Sequence, residues 1–306
     1  MCAVLSARVQ SAVLYETGFE ANEGFNIEFD LAGQGNWMVE GTGGNGLVDE
    51  FFEGFGQQAY IGFVQPAQGS ATSVWRPVNF TPVPTGSSIV HFSVKMQVVP
   101  SEAGGDDDFR WSVYNRDGRR LFGISFETGT QEIWFQNEDL EFHSTGFSFD
   151  FAGIYDLHIW MDFSRNSWTV LLNDVVLANA EPIATVTGTA LNLGDVDAVW
   201  FVNNLSNPGD NFMVFDDYQI ATENLNAIPP RLETIGMNAE GFFEFYVFGQ
   251  PNVPYDVEVT DDFVTWFPMA DDPDDPYVDP DGNFVFEDNF APLYPKGFYR
   301  LVERLP

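Results

Sequence analysis

In the run QEIWFQN, Gln131 to Asn137, Trp134 shares an alternating phase with Glu132 and Gln136, while Ile133 and Phe135 take the other. If Glu132 and Gln136 face solvent, Trp134 does too. An indole so placed is a platform on which a sugar ring can stack, with a carboxylate and an amide beside it. Packing between domains is the competing use of such a side chain. Arg110 completes the candidate set, because it belongs to the group Arg110, Arg116, Arg119 and Arg120 that stands out in an acidic chain. Local salt bridges from the hairpin NRDGRR are the plainer reading of that group. Trp111 shares its phase with Phe109 and Val113, which argues burial; Trp37 and Trp75 lie near loops or on sheet faces.

Carboxylate clusters raise a second chemistry, calcium binding. Asp106 and Asp108 flank Asp107 after a Gly-Gly turn, and Asp279, Asp281 and Asn283 alternate around Gly282 in DDPDDPYVDPDGNF. Hard oxygen ligands on such turns can converge on one Ca2+ ion, although the spacing is not that of an EF-hand. Asp195-Val196-Asp197 is a further candidate. The plainer reading of each is an acidic, solvated loop.

Other chemistries find little support. The three histidines, His91, His143 and His158, show neither H-x-H nor H-E-x-x-H spacing, so a zinc site is not expected. No G-x-S-x-G elbow is present. The net charge of −34, from 46 acidic and 12 basic residues, argues against nucleic acid and against anionic lipid as partners. A single cysteine, Cys2, allows no internal disulfide. No window approaches the roughly 18 continuous apolar residues that a membrane-spanning helix needs.

The elements that would position these residues are strands. IVHFSVKMQVV (Ile89 to Val99), FRWSVYN (Phe109 to Asn115), RLFGISFE (Arg120 to Glu127) and QEIWFQN are each followed by a turn signal rich in Gly, Asp, Asn or Thr. Tyr155 to Leu177 reads as two amphipathic strands around Ser164–Asn166, then a tight Asn173-Asp174 turn into a third. Sixteen per cent of the residues are aromatic, with 31 Phe, which suits the inner faces of a β-sandwich. ATENLNAIPPR reads as an extended linker, followed by strand-like runs at Phe242–Gly249, Tyr255–Met269, Asn283–Asp288 and Gly297–Val302.

The long Tyr155–Leu177 hairpin resembles that of the laminin-G and concanavalin-like jelly rolls. So do an early FE-x-x-x-GF strand (Phe19, Glu20, Gly24, Phe25) and a late Phe215-Asp216-Asp217-Tyr218 run. Gly33 to Phe63 resembles the opening of secreted jelly-roll proteins of environmental bacteria. The resemblance implies that the first and last strands pair. Its enzymes carry motifs that this chain lacks. There is no E-x-D-x-x-E strand of a glycosidase, and none of the R-[ST]-E, Q-[IV]-H and Y-x-K-x-G strands of the lyases. An unorthodox lyase site would have to be assembled from Arg110, Tyr114, Arg116, Gln131 and His143. The C-terminal run, with Gly249, Pro254, Tyr255, Thr265, Trp266, Phe298, Tyr299 and Arg300, resembles a small accessory sandwich of secreted bacterial proteins. Residues 1–12 resemble the end of a secretory signal, with a disordered N-terminus as the alternative.

The expectation is therefore an all-β protein: a concanavalin/laminin-G-like jelly-roll sandwich over 13–222, a linker over 223–230, and a small β-sandwich over 231–306. Its expected role is non-catalytic, secreted or cell-surface binding of an extracellular polysaccharide or glycan, or adhesion, with calcium as a stabilising ion. The expected carbohydrate contacts are Trp134, Glu132, Gln136 and Arg110; the expected metal ligands are Asp279, Asp281, Asn283, Asp106 and Asp108. A self-associating structural subunit and a divergent polysaccharide lyase or glycoside hydrolase are the alternatives.

Overall fold

A computed structural model of the chain describes residues 12–82, 89–223, 231–248, 255–261, 265–269, 283–288 and 297–303. The chain falls into two compact units, Met1–Asn224 and Leu225–Pro306. Both are built from antiparallel strands, and the only helical element among the described residues is a single 3-10 turn at Ala21–Glu23.

The first unit is a jelly-roll sandwich of two sheets. The larger sheet runs, edge to edge, β13 (Val175–Pro182), β12 (Ser167–Leu172), β11 (Tyr155–Asp162), β6 (Ile89–Val99), β15 (Phe212–Glu223), β4 (Gln57–Gly62) and β3 (Asn45–Asp49). The first strand, β1 (Ala12–Thr17), pairs with the C-terminal half of the last, Ala12 opposite Thr222 and Thr17 opposite Tyr218. The smaller sheet runs β10 (Phe142–Ser148), β9 (Glu132–Gln136), β8 (Arg120–Glu127), β7 (Asp108–Tyr114), β14 (Asp195–Phe201), β5 (Ala71–Trp75) and β2 (Met38–Glu40).

Period-two alternation decides which side chains meet between the sheets. Phe92, Val94, Met96 and Val98 of β6 face Phe109, Trp111 and Val113 of β7 and Phe122, Ile124 and Phe126 of β8 in one buried cluster. Trp111 is fully buried, with ring centroids 5.3 Å from both Phe92 and Phe215. Trp37, expected near a loop or on a sheet face, is also core: it lies 5.1 Å from Tyr218, and its Nε1 donates to Tyr15 Oη at 3.1 Å. The long hairpin closes as its sequence predicts, with Asn173 and Asp174 at φ 48° and 65°, the left-handed pair a two-residue turn requires.

The end of β9 is tied down by a buried acid. Glu138 accepts hydrogen bonds from the backbone N–H of Thr185 and Val186 at 2.8 Å each, from Thr189 Oγ1, and from Arg119 Nε at 2.5 Å. Glu138→Gln removes the charge assistance from all four and is expected to cost about 1–2 kcal/mol, read from urea unfolding.

The second unit is a small sandwich of two three-stranded sheets. One joins β16 (Arg231–Met237), β17 (Phe243–Phe248) and β20 (Asn283–Asp288). The other joins β19 (Phe267–Pro268), β18 (Tyr255–Thr260) and β21 (Phe298–Glu303). Phe245, Val247, Val257 and Phe286 form its core.

Candidate functional site

The residues that alternation keeps out of the core line the outer face of the smaller sheet, and strand register arranges them in rows. Arg110 stands opposite Ser125 on one side and Val199 on the other, and Ser125 stands opposite Trp134. The next row brings Gln136 beside Gly123, Gly123 beside Ser112, and Ser112 beside Asp197. A third sets Arg120 beside Tyr114 and Tyr114 beside Asp195.

Arg110 lies across this face because Gly123 leaves the lane open: a Cβ there would sit 2.9 Å from Arg110 Cδ and 2.9 Å from the Trp111 carbonyl oxygen. Its guanidinium stacks 4.3 Å over the Phe201 ring. Its Nε donates to Ser112 Oγ at 2.9 Å and its Nη1 to Gln136 Oε1 at 3.3 Å. The same oxygen accepts from Arg120 Nη2 at 2.5 Å, while Gln136 Nε2 donates to the Leu140 carbonyl. Burial and the neighbouring Arg120 charge pull the Arg110 pKa down to about 10, so it remains a cation at neutral pH.

Beside them, Asp195 and Asp197 lie two residues apart on the same face of β14. Burial raises Asp195 to about 6. Asp197, 7% exposed, is held well above the carboxylate range by burial and then by Asp195. Burial and mutual repulsion therefore disfavour the ionisation of both carboxylates at once. Burial, then the charge of Asp197, raises the Tyr114 phenol, so it holds its proton as well.

Trp134, Phe142 and Phe201 wall an open cleft of about 420 Å³ on this face, and Asp108, Arg110 and Glu127 supply charged groups to it. Trp134 is half-buried, and its Nε1–H is buried with no hydrogen-bond partner among the described residues. Phe142, on the edge strand β10, is 59% exposed.

Of the four sequence-predicted carbohydrate contacts, Trp134 and Arg110 line the cleft. Gln136 is buried and bridges the two arginines, and Glu132 shares the face without lining the cleft. Arg116 and Arg119 leave the face for Thr81 and Glu138, and of the four arginines Arg119 alone makes an ion pair among the described residues. Phe142, Phe201, Tyr114 and Arg120 join the site through register, which one sequence does not reveal. The set imagined for a lyase does not assemble: Gln131 lies in a turn at φ 59°, His143 stacks on Phe135, and Arg116 bonds Thr81.

The metal candidates fare differently. Asp106 is exposed, and Asp108 lines the cleft with its carboxylate accepting from the Thr128 N–H at 2.9 Å. Between them, the buried Asp107 carboxylate accepts from the N–H groups of Asn203 at 2.9 Å and Gly209 at 2.8 Å. Among the described residues no group of three or more His, Cys, Asp or Glu converges. Asp279 and Asp281 lie outside the described residues; Asn283 opens β20, paired with Phe248.

No protein-family profile and no curated protein matches the sequence. Among solved structures, the chain is similar to a sialidase, with TM-score 0.49 and 9% identity over 71% of this chain and 19% of that one. It is similar to a conserved carbohydrate esterase from Shiga toxin-encoding bacteriophage phi24B (TM-score 0.48, 10% identity, 70% of this chain, 100% of that one). The basic winged bean lectin, solved with Tn-antigen, follows at TM-score 0.41 and 12% identity, over 70% of this chain and 99% of that one. At such identities the likeness is one of fold.

Proposed function

We propose that the protein is a non-catalytic, extracellular carbohydrate-binding or adhesion protein whose glycan lies on the outer face of the smaller sheet. The observation that carries this reading is the open cleft in which Trp134, Phe142 and Phe201 surround the charged groups of Arg110, Asp108 and Glu127. Flat apolar walls stack on the faces of a sugar ring, while its hydroxyls need both donors and acceptors. Ser125 and Asn203 add neutral polar groups at the rim. The second unit, with its own small core, acts in this reading as an accessory surface-association module.

The test is a pull-down of the full chain on insoluble and gelled polysaccharides, scoring both retained protein and released sugar. Retention without release supports the proposal. Release of reducing or unsaturated ends favours an enzyme, and self-assembly without retention favours a structural subunit. Calcium stabilisation rests on Asp279, Asp281 and Asn283. It predicts that a chelator lowers the melting temperature and that Ca2+ restores it; an unchanged melt removes calcium from the account.

A further inference from the structure

We propose that the glycan bound on this face is anionic, and that Arg110 and Arg120 together receive its carboxylate or sulfate ester. The inference rests on the carbohydrate-binding reading and names its ligand class. In a chain with 12 basic residues against 46 acidic ones, two guanidiniums set on adjacent strands of one face are a marked concentration of positive charge. Both are half-buried, and neither makes an ion pair among the described residues. They converge instead on one neutral acceptor, Gln136 Oε1.

Such a pair repels itself, and Arg120 accordingly helps to lower the Arg110 pKa. Asp195 and Asp197 follow one another on the same face of β14, and burial together with their mutual repulsion disfavours the ionisation of both at once. An anion placed over the two guanidiniums would supply the charged partner that neither has among the described residues. The planar fork of arginine matches the two oxygens of a carboxylate or sulfate, and stacking on Phe201 fixes the plane of Arg110 before any ligand arrives. The protonated Tyr114 hydroxyl adds a donor on the same row as Arg120. Arg110 also lines the Trp134 cleft, so one sugar can stack there while its acidic group, or that of the next residue, reaches the arginines.

The experiment compares binding of the full chain to two matched pairs by affinity electrophoresis. One pair is polygalacturonate and its carboxyl-reduced form; the other is a sulfated galactan and its desulfated form. The expected result is retention by at least one charged member and at least roughly tenfold weaker retention by its neutral counterpart. Arg110→Gln and Arg120→Gln, each checked for an unchanged melting temperature, should lose that preference. If one variant fails to fold, the other still reports. Equal retention of charged and neutral members overturns the anion inference and leaves carbohydrate binding standing. Retention of neutral polysaccharides alone does the same. No retention on any polysaccharide overturns both.

Discussion

Trp134→Ala is expected to weaken retention on the bound polysaccharide by roughly 30-fold, about 2 kcal/mol, while leaving the fold intact. The indole is the largest flat surface in the cleft and sits on the solvent phase of β9, with Ile133 and Phe135 carrying that strand's share of the core. Removing it therefore subtracts ligand contact rather than core packing. Trp134→Phe separates two contributions. It keeps a stacking surface but removes the Nε1–H, which lacks a partner among the described residues. An intermediate loss is expected from the smaller stacking area alone, since the buried Nε1–H is not open to the sugar. Affinity electrophoresis with a parallel thermal melt measures both effects. Unchanged retention by the alanine variant would remove Trp134 from the site.

Stability should rise, not fall, as the pH is lowered from about 8 to about 5. Asp216 is 1% exposed, and it sits at the irregularity where the register of β15 against β6 shifts between Asp216 and Gln219. Burial raises its pKa to about 7, the backbone N–H of Asp217 lowers it, and the charge of Asp217 raises it again. The folded state thus keeps a proton that the unfolded chain, with an ordinary carboxylate near 3.8, releases. Between those two values the folded protein binds more protons, so stability declines as pH rises through the window. The full effect of Asp216 is on the order of 4 kcal/mol at most. Asp195, raised to about 6, acts in the same direction. Glu138 is depressed below its ordinary value of 4.5 and acts oppositely, but only under more acidic conditions. Asp216→Asn should raise the melting temperature at pH about 8 and flatten the profile. A wild-type melting temperature that falls on acidification would contradict this, and would point to a cation held by these carboxylates.

Much of the architecture is legible in the chain because its strands alternate strictly. The runs at Ile89, Phe109, Arg120 and Gln131 become β6 to β9 within a residue, and the left-handed Asn173-Asp174 turn is written in residue type. What escapes the sequence lacks that period. β10 reads FHSTGFS, mostly exposed and bent by Gly146 at φ 75°, so Phe142 gives no sign of walling a cleft. β16 follows directly on Pro229-Pro230 at the start of the expected sandwich, and its run RLETIGM lacks the aromatic alternation that marks the other C-terminal strands. Trp37 lies in an irregular segment whose fold over the core is set by Phe19 and Tyr218, both distant in sequence.

The candidate site divides in the same way. Phase alone puts Trp134, Glu132 and Gln136 on one face of β9. Phase cannot bring Arg120 to Gln136, or Asp197 to the row of Ser112, because those meetings depend on the register of four strands. The arginine group illustrates the limit. Four guanidiniums close in sequence divide between a loop and the sheet face, and only the pairing of β7 with β8 decides which go where.

The most direct test of the account is backbone hydrogen exchange of the full chain with and without the polysaccharide that retains it best. The account predicts slowed exchange in β7, β8, β9 and β14, with little change in the larger sheet. Protection confined to the larger sheet or to the second unit would contradict it, whatever glycan is bound.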